Sequence, residues 1–166
     1  MQQENQKIKN GRHMKKIIAL LLLCGCGFRP MFSGSDNDIY VEKISGINGI
    51  ELRNALNAKF GGAHDANAPY KLIVLLDEPR RTYKGLDTTG TATWQAIKLT
   101  EKYDLYAGDK KIASGQESAA ESYTFVQYLV AANASYNNAV QNAVLVLADK
   151  IGARAIAETQ KNSDNK

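Results

Sequence analysis

The sequence predicts an α+β two-layer sandwich: element order β-α-β-β-β-α, about four strands in one sheet, and two helices covering one face. Three observations carry this expectation. Segments rich in β-branched and aromatic residues alternate in polarity, one apolar run bracketed by prolines has strand length, and a long amphipathic stretch closes the chain. About 140 residues follow the leader described below, enough for one compact domain and too few for two comfortable ones.

The first strand is DIYVEKI, residues 38–44, in which Ile39, Val41 and Lys43 alternate with Tyr40, Glu42 and Ile44. Asn48 is placed to cap the first helix and Glu51, three residues on, completes a box-like signal. Leu52, Ala55, Leu56 and Phe60 then share one face until Gly61-Gly62 stops the helix. PYKLIVLLDEP, residues 69–79, is a continuous apolar run suited to a buried, central strand. The polar stretch RRTYKGLDTTGTAT, residues 80–93, reads either as a loop or as a ragged strand extension.

Beyond it, Ile97, Leu99, Tyr103 and Leu105 line one face of a strand whose other face carries Lys98, Thr100, Lys102 and Asp104. Gly108-Asp109 marks a hairpin. The return strand from Lys111 has so little apolar payload that an edge position suits it. Residues 122–134 stay ambiguous between a strand end, a short helix and a packed loop. In the closing helix, expected to be capped by Ser135, one apolar face runs through Tyr136, Val140, Ala143, Val144, Leu147, Ile151 and Ala155. Asn138, Gln141, Asp149 and Lys150 lie opposite, so the helix packs on a sheet.

Upstream of the domain, Met14-Lys15-Lys16 is a short positive region and Ile17 to Leu23 is an apolar run of seven residues. That is the form of a signal peptide, far short of the ~20 apolar residues that span a bilayer. Leu23-Cys24-Gly25-Cys26 looks like a lipobox: an apolar residue, two small ones, then the obligatory cysteine after the cut. Cys26 is therefore the expected lipidation site and Cys24 part of the leader. An ordinary secretory signal or an uncleaved anchor is the alternative. A metal site would need two further soft ligands, but downstream the chain offers no cysteine and one histidine, His64. A Cys-x-Cys disulfide closes a very small, strained ring.

Residues 1–13 are an unusual polar preface, which puts the natural start at Met14. The expected organisation is an extension and signal peptide over 1–25, a lipidated tether over 26–37, a single α+β domain over 38–160 and a polar tail over 161–166.

Residues 1–25 hold five of the 21 basic and one of the 17 acidic residues, which leaves 16 of each in the mature chain. The basic character belongs to the leader, and the case for a nucleic-acid partner loses its support. Catalysis finds little material either. His64 sits by Gly61-Gly62 in a loop without a spaced partner histidine, Asp77 and Glu78 are adjacent and point apart, and no phosphate-cradling glycine motif is present. No enzyme, metal or cofactor is expected. The densest basic cluster of the mature chain, Arg80, Arg81 and Lys84 beside Tyr83, could contact phosphate groups of an anionic lipid, or be a solvated loop. Trp94 and Tyr103 are expected to pack on the sheet.

The segment CGFRPMF with Gly27, Phe28 and Pro30 after the lipid cysteine, the GTAT lead into a strand, YDLYAGDKKIASG as a hairpin, and ASYNNAVQNAVLVLADKIGARAI as the closing helix together resemble the LptE family, lipopolysaccharide-assembly lipoproteins of the alphaproteobacterial type. Ser135-Tyr136-Asn137 and Leu147 to Ile151 match best; Trp94 stands where many relatives carry an arginine, and no lipid contact is assigned there. The resemblance implies a lipoprotein of the outer membrane, facing the periplasm, that plugs the β-barrel translocon LptD and assists delivery of lipopolysaccharide to the surface without making or breaking bonds. Three acyl chains on Cys26, at ~0.8 kcal/mol per buried methylene, would hold it stably. An auxiliary lipoprotein of an ABC-type lipid transporter is the alternative, and an enzyme the third.

Overall fold

In the computed structural model the described residues are 38–86, 88–89, 92–124 and 128–164. The leader, Cys26 and the tether lie outside them. β1 (Ile39–Val41) is followed by α1 (Ile47–Lys59), β2 (Tyr70–Leu76), β3 (Arg80–Leu86), β4 (Ala92–Ala107), β5 (Lys110–Thr124) and α2 (Leu129–Asp164). The α+β sandwich is as expected, but among the described residues the sheet has five strands in place of about four. The extra one is β3, the polar stretch that read as loop or ragged strand. Its side chains are almost all exposed, so the ladder to β4, rather than burial, holds it.

β4 is the axis of the sheet. β5 pairs antiparallel with it from Ala107 opposite Lys110 to Trp94 opposite Thr124. On the other side β2 takes the half from Glu101 to Ala107 and β3 the half from Ala92 to Lys98. β2 and β3 behave as one long strand broken at Asp77-Glu78-Pro79, where the Asp77 N–H still donates to Thr100 O at 3.2 Å. Pro79, with no N–H to give, sits in the break. β1 adds in parallel to the outer edge of β2, with α1 as the crossover between them. β5 takes the edge position that its composition suggested.

Residues opposite each other on antiparallel strands share a face. Ile97, Leu99, Glu101, Tyr103 and Leu105 of β4 are buried on the face that carries both helices, together with Leu72 and Val74 of β2 and Ala119 and Tyr123 of β5. From above, Leu52 and Leu56 of α1 and Ala143, Val144, Leu147, Ala148 and Ile151 of α2 close the core. β5 contributes small side chains there, and the Tyr103 ring spreads over Gly115, where a Cβ would lie 2.5 Å from Tyr103 Oη.

Both helices begin where the sequence did not place them. α1 is entered through Gly46, with φ 84°, and no side chain caps it, so Asn48 lies inside the first turn. The entry is tight: a Cβ on Gly49 would stand 2.9 Å from the Ile44 carbonyl. Its end is as expected, with Gly61 at φ 89° and the Gly62 N–H donating to Asn57 O at 2.9 Å. α2 starts at Leu129, ahead of Ser135, because Ala132 falls four residues before Tyr136, is buried, and prolongs the apolar stripe through alanine-rich sequence. At the other end α2 runs to Asp164, through residues that read as a polar tail.

Candidate functional site

The register separates the charges of the sheet by face. On the open face, away from the helices, β3 contributes Arg80, β4 contributes Lys98 and Lys102, and β2 contributes Lys71, since Arg80 pairs with Lys98 and Lys71 with Tyr106. Among the strand residues described there, Asp104 is the one carboxylate; Lys111 Nζ donates to its Oδ2 at 2.8 Å. That hydrogen bond lowers the Asp104 pKa and raises that of Lys111. Lys71 and Lys111 both approach the Tyr106 ring, at 5.4 and 5.6 Å from its centroid. The acidic strand residues Glu101, Glu117 and Glu121 lie instead on the helix face, where Glu117 pairs with Arg154 of α2.

The three cations singled out from the sequence are not brought into one patch. Arg80 and Arg81 are neighbours on a strand and point to opposite faces. Arg81 turns toward α2, its guanidinium carbon 4.0 Å from the centroid of Tyr136. Tyr136 meets Tyr123 edge to face at 5.9 Å, and Tyr123 Oη donates to the buried Gln95 Oε1 at 2.6 Å. Arg81 thus belongs to a chain of contacts that fastens α2 to this end of the sheet. Lys84 falls at a register shift between Tyr83 and Gly85. Arg80 instead joins Lys98 and Lys102, whose membership only the register reveals. Alternation in the sequence had put both lysines on one strand face, but nothing in it set Arg80 beside them.

In the centre of the open face lies a shallow depression of about 520 Å³, bordered by Ile73, Leu75, Lys102, Asp104, Lys111 and Gln116. Its floor is apolar on the β2 side, where Leu75 is 67% exposed, and on the β4 and β5 sides Lys102 stands beside the Asp104–Lys111 pair. A second groove of about 470 Å³ opens between the start of α1, the β2–β3 break and α2, bordered by Asn48, Glu51, Asp77, Glu78, Tyr136 and Gln141.

Three solved structures are similar in fold. A lipoprotein from Caulobacter crescentus matches at a TM-score of 0.64 with 19% identity, over 76% of this chain and 93% of its own. Rare lipoprotein B from Shewanella oneidensis matches at 0.60 with 15% identity, over 76% and 98%. A minor lipoprotein from Acinetobacter baumannii matches at 0.57 with 20% identity, over 74% and 93%. The fold is one that bacterial lipoproteins use. No family model matches the chain, and no curated protein matches its sequence significantly.

The remaining residues weighed from the sequence have structural places. His64 lies in a loop, as expected, but is largely buried there: its side chain is 18% exposed, Nε2 donates to Phe60 O at 3.0 Å, and Nδ1 lies 3.7 Å from Asp38 Oδ1. It ties the end of α1 to the start of β1. Asp77 and Glu78 are exposed at the β2–β3 break. Tyr103 packs on the sheet as expected, whereas Trp94 is 52% exposed and does not. Among the described residues no group of three histidine, cysteine or acidic side chains is placed to hold a metal. Glu101 was missed altogether. It is fully buried, neither carboxyl oxygen has a hydrogen-bond partner, and burial pushes its pKa up to about 8.

Proposed function

We propose that this chain is a non-catalytic lipoprotein of the outer membrane, anchored at Cys26 and facing the periplasm, that plugs an LptD-type β-barrel and assists lipopolysaccharide assembly. The observation that carries the proposal is the uncovered sheet face, where Lys102 borders an apolar floor of Ile73 and Leu75 and the pair Arg80 and Lys98 stands further along the same face. An amphipathic, phosphorylated glycolipid needs that combination, with cations for its phosphates and apolar surface for its acyl chains. The fold shared with bacterial lipoproteins and the lipobox at Leu23 to Cys26 support the same reading. A rigid two-layer sandwich suits a plug, because its walls are set by packing and need not rearrange to fill a lumen.

The test is affinity capture of the native protein from detergent-solubilised outer membrane, followed by mass spectrometry of its N-terminus and of what co-elutes. A triacylated Cys26 together with a stoichiometric large β-barrel is the expected result. A lipidated chain that arrives with inner-membrane transporter subunits, and no barrel, would assign the protein to an ABC-type lipid transport system.

A further inference from the structure

We propose that the end of the domain formed by the tip of β3, the start of β4 and the first turns of α2 is a docking tip for an anionic lipid surface. Among the described residues, six of the ten exposed large apolar side chains belong to these elements or directly precede α2: Tyr83, Leu86, Trp94, Tyr128, Leu129 and Val130. The topology gathers them. Trp94 is paired with Gly85 on one side and Thr124 on the other, and Leu86 with Ala92. α2 touches the sheet at Arg81 and Tyr123 through Tyr136, so Leu129, seven residues earlier, projects about 10 Å further toward the same end.

Charge favours a lipid surface as the occupant. Lys84 stands in β3 between Tyr83 and Leu86, Arg81 faces α2, and Arg80 and Lys98 lie on the open face, so cations stand behind the tip on both sides of the sheet, whereas residues 122–148 carry no charge at all. The outward side of a surface helix ordinarily holds charged residues. Here Val130, Asn133, Ala134, Asn137, Asn138 and Gln141 are exposed and uncharged. Leu and Val with Trp and Tyr at a polar boundary, beside Arg and Lys, is the composition that settles at a lipid–water interface and is drawn to anionic headgroups. No described helix is long and apolar enough to cross a membrane, and the contact proposed is with the surface.

Asp38 enters β1 beside Tyr70, which pairs with Ala107, so the described domain begins at the end opposite the tip. The proposal stands apart from the barrel partnership.

Trp94, the one tryptophan of the chain, reports on the tip directly. The full lipidated protein is reconstituted into vesicles of phosphatidylethanolamine and phosphatidylglycerol, with plain or brominated acyl chains. The expected result is Trp94 emission at shorter wavelength and about twofold or greater quenching by the bromines, both weakened in phosphatidylcholine. The double variant Leu129→Asp and Val130→Asp should lose both effects while its circular dichroism is unchanged, since both side chains are exposed. Equal emission in plain and brominated vesicles overturns the proposal, as does quenching that persists in the double variant. A tip reserved for a protein partner gives the first of these.

Discussion

Along β4, alternate residues live in different solvents. Ile97, Leu99, Glu101, Tyr103 and Leu105 are buried under the helices, whereas Lys98 and Lys102 between them are exposed. On the first side identity is set by shape, and a changed atom meets a packed neighbour. On the second it is set by charge, and a changed atom meets water. Mutations on the covered face should therefore move stability, and those on the open face should move binding.

Glu101 makes the difference largest, because it is an acid on the covered side. Its pKa is raised from 4.5 to about 8, so the folded state holds the proton more tightly than the unfolded chain does. The sign follows: stability is undiminished below about pH 4.5, declines as pH rises through the window between the two values, and levels off above about 8. The total loss is roughly 5 kcal/mol. Denaturant unfolding followed by circular dichroism from pH 4 to 9 should show this decline in the native protein, with a much flatter profile for Glu101→Gln. A flat native profile would mean that the carboxyl finds a partner and is not an orphan.

Leu105→Ala should cost about 2–5 kcal/mol at any pH, since the side chain is fully buried in the core shared by β4 and the helices. Gly115→Ala is smaller, at about 1–3 kcal/mol, because the new methyl group meets the Tyr103 ring. Combining it with Tyr103→Leu should recover part of the loss, and a double-mutant cycle reads the coupling. If Gly115→Ala is neutral alone, the ring can move aside and the covered face is looser than its packing implies.

How much of this was legible in the sequence follows the same division. β2, β4 and the body of α2 declare themselves because burial imposes a period, as in Ile97, Leu99, Tyr103 and Leu105. β3 does not, because a strand exposed on both faces has no period to show; Arg80 to Leu86 is held by backbone pairing, which sequence does not encode locally. The helix starts were missed for related reasons. Gly46 acts through a positive φ with no capping side chain, and Ala132 prolongs the stripe of α2 with a side chain too small to mark it. The basic site was half visible. The cations were present in the sequence, but the register alone sends Arg81 to Tyr136 and sets Arg80 beside Lys98. Glu101 carries no mark in the sequence, since its burial depends on Leu76 and Glu117 across the ladder and on the helix above.

The smallest effect on stability is expected where the effect on function is largest. Lys98→Ala and Lys102→Ala remove exposed charges with no packed neighbours to disturb, so each should shift unfolding by no more than about 0.5 kcal/mol. Lys102 borders the depression that holds Ile73 and Leu75, and Lys98 lies beside Arg80. Lost charge-assisted contacts to phosphate are worth about 1.5–3 kcal/mol each, so the pair should weaken binding of lipopolysaccharide by an order of magnitude or more. Arg81→Gln is the matched control, since its guanidinium lies against Tyr136 on the other face: it should loosen the end of α2 and leave that binding unchanged. Equal losses of binding from Arg81→Gln and from Lys98→Ala with Lys102→Ala would show that the ligand does not distinguish the two faces, and the assignment of the site to the open face would fall.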